Sequence, residues 1–140
     1  SPAEDLYARI SIPLTRPSLR SWLHGRPPQD VYRILIDTYQ LRMDDMFVIA
    51  KQAEENSMYN GKQTGYFGFR RFLEKAKAAT VLPPWWNEDI ERECQKQGLP
   101  AHGLPLYKLS DKVSEAAIKK RYGDATFATQ LRLFAASVYG

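Results

Sequence analysis

One cysteine, two histidines and no extended apolar run are the first things this chain of 140 residues withholds. Cys94 stands alone, which excludes an internal disulfide and gives no sign of an oxidising compartment. Cys94, His24 and His102 are too few for a structural zinc site, which normally takes four nitrogen or sulfur ligands at short paired spacings. Apolar runs span only a few residues, so no segment reads as a membrane crossing, which needs about 20. The start, SPAEDLYARI, has neither the charged opening nor the apolar stretch of a signal peptide, and it has no initiating Met. The expectation is an intracellular chain of cytoplasm or nucleus, off the membrane, and one that can be a piece of a longer protein. Gly-rich phosphate loops, metalloprotease motifs and nucleophile elbows are also missing.

What is present reads as globular. Hydrophobic residues make up 44% and charged residues 26%, and the length suits one domain with its own core. Net charge is +4, carried by the second half: residues 1–60 hold seven Lys/Arg against eight Asp/Glu, residues 61–140 thirteen against eight. Such a field steers association with acidic partners or nucleic acid and says little about fold.

Prolines at 2, 13, 17, 27 and 28 predict an extended arm over residues 1–29, with Leu14, Leu19, Trp22 and Leu23 packing it onto the rest. A helical domain is expected over residues 30–140. Its longest helix, VYRILIDTYQLRMDDMFVIAKQAEE, has Asp30 as a candidate N-cap and apolar groups on most sides, so it reads as the central helix. Val31, Ile34, Leu35, Thr38 and Leu41 trace one face, and Tyr32, Ile36, Tyr39, Met43 and Phe47 a second. After the turn SMYNGKQTG, a helix capped by Thr64 places Phe69, Phe72, Leu73 and Ala76 on one stripe and runs until Pro83-Pro84 stops it. Asn87 caps a short helix through Gln97, ended by Gly98. The loop LPAHGLPLYKL offers Leu99, Leu104, Leu106 and Tyr107 as anchors. Ser110 or Asp111 opens a fourth helix with a Glu115–Lys119 pair, broken by Gly123. Asp124 or Thr126 opens the last, with Phe127, Leu131, Phe134 and Val138 on one face. The fold class is all-α, a single domain of about five helices, and no internal repeat interrupts it.

Across roughly Leu14 to Tyr139 the chain resembles the helical region of fungal proteins that also carry a MYND-type zinc finger. The stretches that carry the likeness are SWLHGRPPQDVYRILIDTYQLRMDD, GFRRFLEKA, VLPPWWN, ERECQKQG and KKRYGDATFATQLRLFAASVYG, in that order. The finger itself is absent from these residues, so the resemblance implies a helical module without its zinc and without finger-borne partner binding.

Chemistry is sparse. Cys94 lies beside Glu91 and Glu93, whose charges disfavour a thiolate, so nucleophilic catalysis is not expected. Asp37, Asp44 and Asp45 share one helix and lack metal-loop spacing; ion pairs with Arg33, Arg42 or arginines of the arm are the expected use. No catalytic residue, metal or cofactor is assigned. Trp85-Trp86 after two prolines forms a stiff aromatic turn, with Trp86 set to staple the Asn87 helix. The expected function is a non-catalytic protein-interaction module. Its contacts are whichever of Trp22, Tyr66, Phe67, Arg70, Arg71, Trp85 and Trp86 stay exposed, because interface centres favour Trp, Tyr and Arg. The alternative is nucleic-acid binding by Arg70, Arg71, Lys75, Lys77 and Lys119-Lys120-Arg121, diluted by Glu74 and Glu115.

Overall fold

A computed structural model describes residues 20–48, 65–99, 109 and 113–140. Among them are five helices and no strand: α1 (Pro28–Val48), α2 (Tyr66–Ala78), α3 (Glu88–Gln97), α4 (Glu115–Tyr122) and α5 (Phe127–Tyr139). No helix among the described residues is long and apolar enough to cross a membrane. Residues 1–19 of the expected arm, the continuation of the first helix beyond Val48, the Thr64 cap, Leu104, Leu106, Tyr107, Ser110 and Asp111 lie outside the described residues.

Helix α1 begins at Pro28, whose missing N–H costs nothing at the first helical position. Asp30 is therefore not the N-cap; it sits fully buried in the first turn, where the helix dipole favours a carboxylate. Both expected faces of α1 are buried through Met43, because neighbours enclose the helix on most sides. Phe47 departs from that pattern: it is 46% exposed, one residue before the end of the described part of α1.

The hub is shared. Helix α5 packs on α1, α2 and α4, while α3 packs on α2. Phe127, Leu131, Phe134 and Val138 all point inward, as their spacing predicts. Trp22, in a turn closed by the His24 N–H donating to Ser21 O at 2.9 Å, drops its ring between Phe127 and Phe134, at centroid distances of 5.8 and 5.4 Å. Burying so large a ring outweighs presenting it to solvent. Across the core, the Tyr39 ring meets Phe69 at 5.8 Å and Phe72 at 6.1 Å.

Ion pairs tie the helices together over long sequence distances. Asp37, fully buried on α1, accepts from Arg121 Nη1 and Tyr122 Oη, each at 2.5 Å. Asp45 receives both Nε and Nη2 of Arg132 at 2.9 Å, and the remaining Nη1 donates to Glu115 at 2.8 Å. These two cations, Arg121 and Arg132, belong to α4 and α5 and approach Asp37 and Asp45 from across the packing interface. The Arg132 hydrogen bond and charge, followed by Lys119, hold the Glu115 carboxyl below its usual range. The support Glu115 gives is thus present above the ordinary Glu range and is lost as pH falls through the lowered value.

Capping follows the sequence in part. Asn87 accepts from Ile90 N at 2.9 Å as expected. Helix α4 opens later than expected, at Glu115, because Ser114 accepts from Ala117 N at 3.2 Å and is flanked by the buried Val113 and Ile118 in staple positions. Asp124 gathers Thr126 N at 2.8 Å and Thr126 Oγ1 at 2.7 Å just before α5. Helix α2 ends before Pro83-Pro84: Thr80 N donates to Lys77 O at 3.1 Å and Val81 N to Ala76 O at 3.3 Å, a Schellman closure. Thr80 occupies the left-handed position, φ 58°, where a β-branched residue is strained.

Leu109 clasps both ends of the α2–α3 unit. Gly65 N donates to Leu109 O at 2.9 Å, and Leu109 N donates to Gly98 O at 2.7 Å. Gly98 has φ −85°, so space and not backbone freedom requires it: a Cβ would stand 2.5 Å from Leu109 Cδ1. Two substitutions should therefore move stability in opposite directions. In thermal melts followed by circular dichroism, Thr80→Gly is expected to stabilise by about 1 kcal/mol through relief of the left-handed strain. Gly98→Ala is expected to cost about 1–3 kcal/mol through overpacking against Leu109. Equal melting temperatures for both variants and the wild type would contradict these assignments.

Candidate interaction surface

Helix α2 sorts its residues by period. Phe69, Phe72, Leu73 and Ala76 turn inward, which leaves Phe67, Arg70, Arg71, Glu74 and Ala78 on the opposite side, all exposed. Phe67 is the most exposed large apolar side chain among the described residues, at 63%. Its ring meets the half-buried Tyr66 edge-on at 5.6 Å. The Arg70 guanidinium lies over the other aromatic neighbour, 5.8 Å from the Tyr66 centroid. Tyr66 Oη reaches Gln95 Oε1 of α3 at 3.5 Å, and the Gly65–Leu109 bond fixes the backbone from which this group projects. Tyr66, Phe67, Arg70 and Arg71 thus form one face at the start of α2.

The tryptophans behave differently. Trp86 Nε1 donates to Glu91 Oε1 at 3.2 Å, its backbone N–H donates to Pro83 O at 3.0 Å, and its ring meets Tyr32 edge-on at 6.4 Å. Glu91 also pairs with Lys77 at 3.3 Å. Trp86 occupies the staple position, yet the link to the first turn of α3 is a hydrogen bond in place of an apolar contact. Trp85 stays half-buried, 6.1 Å from Trp86. A shallow depression of about 460 Å³ lies beside this turn, between Lys77, Thr80, Leu82, Pro83 and Trp86. Tyr66 and the end of α2 are separated by about 18 Å of helix rise, so the tryptophan pair and the Phe67 face are distinct places. Trp22, buried at 0% exposure, belongs to neither; its expected role as a contact residue is corrected to core packing.

Of the basic groups, Arg121 turns inward to Asp37, Lys119 pairs with Glu115 at 3.5 Å and Lys77 with Glu91. Lys75 lies 6.0 Å from the Tyr139 ring centroid. The second-half charge is therefore partly consumed within the fold. A further groove of about 250 Å³ runs between α1 and α5, with Leu41, Met46, Leu131 and Ala135 as apolar walls and the Asp45–Arg132 pair at its side. Sequence reasoning missed it, since neither helix alone encodes the gap between them.

No family model, curated protein or solved structure matches this chain.

The geometry alone therefore has to say what the side chains can do. Among the described residues no group of three or more His, Cys, Asp or Glu is placed to hold a metal ion. Cys94 is fully buried, and burial, followed by Glu91 and Glu93, pushes its thiol well above the ordinary value. A thiol in that environment is a packing group. In the folded chain at neutral pH, Cys94 should resist iodoacetamide, with alkylation appearing only as denaturant unfolds the protein. Rapid alkylation under native conditions, followed by mass spectrometry, would contradict the burial.

Proposed function

We propose that the chain is a non-catalytic protein-interaction module that contacts its partner through Tyr66, Phe67, Arg70 and Arg71 on the outward face of α2. One observation carries the reading: Phe67 stands 63% exposed between an aromatic and two arginines, on a helix whose inner stripe already supplies the core. Interface centres are enriched in this combination of aromatic rings and Arg, and a solvent-exposed Phe is an apolar group left for a partner to cover. Trp85 and Trp86 serve the same module by setting the angle between α2 and α3. An intracellular setting fits a lone, buried cysteine. The likeness to the helical region of fungal MYND-finger proteins belongs to this proposal as well and adds no residue to the surface.

Nucleic-acid binding is the second reading, supported by the +4 net charge. It is the weaker one because Arg121, Lys119 and Lys77 are already paired with carboxylates, which shortens the basic track a phosphate backbone would follow. The two separate in one experiment. Immobilised chain is exposed to extract of its own source cells, with and without nuclease. Retained protein should survive nuclease treatment and fall at least about tenfold with Phe67→Ala/Arg71→Ala, a variant whose melting temperature stays near wild type. Recovery unchanged by the substitutions would remove this surface from the reading, and recovery abolished by nuclease would favour nucleic acid.

A further inference from the structure

We infer that the α2 face receives an acidic segment of its partner, with carboxylates on Arg70 and Arg71 and an apolar side chain against Phe67. This inference rests on the interaction-module reading and names the chemistry of its partner. The charge pattern supports it. Several cations elsewhere on the helices already meet carboxylates: Lys77 with Glu91, Arg92 with Asp89, Lys119 with Glu115, Arg121 with Asp37, and Arg132 with both Asp45 and Glu115, whereas Lys75, Lys96 and Lys120 stand singly rather than as an adjacent pair of arginines beside an exposed ring. Arg70 and Arg71 are adjacent and exposed, and neither has a carboxylate within ion-pair distance among the described residues, although Glu74 lies on the same face.

The arrangement of Arg70 favours a carboxylate ligand. Its guanidinium lies over the Tyr66 ring, an arrangement that occupies the cation's face and keeps the N–H donors at its edge available for a two-pronged carboxylate contact. Phe67 lies three and four positions before Arg70 and Arg71, the spacing that brings side chains together on one helix surface. An apolar residue flanked by Asp or Glu would therefore meet ring and charge at once. A phosphate backbone would gain less here, because it rewards a long array of cations and Glu74 interrupts this one.

The test is a display selection of random peptides of about twelve residues against the full chain, with affinities then measured by fluorescence anisotropy. The enriched sequences are expected to carry two or more Asp or Glu near a large apolar residue. Their affinity should fall at least about tenfold in Arg70→Glu/Arg71→Glu and also in Phe67→Ala, with both variants retaining the wild-type melting temperature. Enrichment of basic or uncharged peptides overturns the inference. So do selected peptides that bind the charge-reversed variant equally well, which would place the contact elsewhere and leave the interaction-module reading standing. No enrichment over uncoated support sinks both readings. A single-stranded oligonucleotide of about twenty bases that binds more tightly than any selected peptide, and loses binding on charge reversal, would assign the face to nucleic acid.

Discussion

A carboxylate with no exposure to water has to be answered by donors, and the answer given to Asp37 organises the fold. An unpaired buried charge would cost several kcal/mol, and Arg121 and Tyr122 both donate to Asp37 where it sits on α1. These donors are the last two residues of α4. Their engagement fixes that helix end against α1, and Gly123, in the left-handed conformation at φ 63°, turns the chain at once toward α5. Tyr122 continues into the apolar core, with its ring 4.2 Å from Phe127 at the start of α5. One polar cluster and one aromatic contact thereby set where α5 enters, and α5 is the helix that α1, α2 and α4 share.

The arginines divide by what they meet. Arg121 and Arg132 carry their charge to carboxylates on α1 and are spent on holding helices together. Arg70 and Arg71, one helix away, meet only an aromatic ring and solvent among the described residues. Surface and scaffold are separated in the same way among the aromatics: Trp22, Phe69 and Phe72 are sealed inside, Trp86 is pinned by Glu91, and Phe67 is left outside. This division lets the outer face of α2 change without disturbing the core, which is what a recognition surface requires.

Much of the framework was legible in the sequence because it is local and periodic. The five helices, the Phe127–Leu131–Phe134–Val138 stripe, the Asn87 cap and the Gly123 stop all follow from spacing and residue type within a few positions. What escaped is non-local. Arg121 and Tyr122 lie 84 and 85 positions from Asp37, and Arg132 lies 87 from Asp45, separations at which spacing along one helix carries no signal. Leu109 was passed over among several leucines of its loop, although its backbone joins Gly65 to Gly98. Thr80 disguised the end of α2, since a β-branched residue gives no hint of a left-handed position and the later prolines drew the boundary away. Of the seven contact residues proposed from the sequence, only burial could remove Trp22 and single out Phe67.

The most direct check on Asp37 as the organising residue is a double-mutant cycle with Asp37→Ala and Tyr122→Phe, read from urea unfolding. If the two groups act as one cluster, the coupling energy should be about 1–3 kcal/mol, with the Asp37 change the costlier single step. Stability losses that add to within about 0.5 kcal/mol would mean that Asp37 and Tyr122 do not act as one cluster, and the account of the buried carboxylate as the residue that seats the end of α4 would fail.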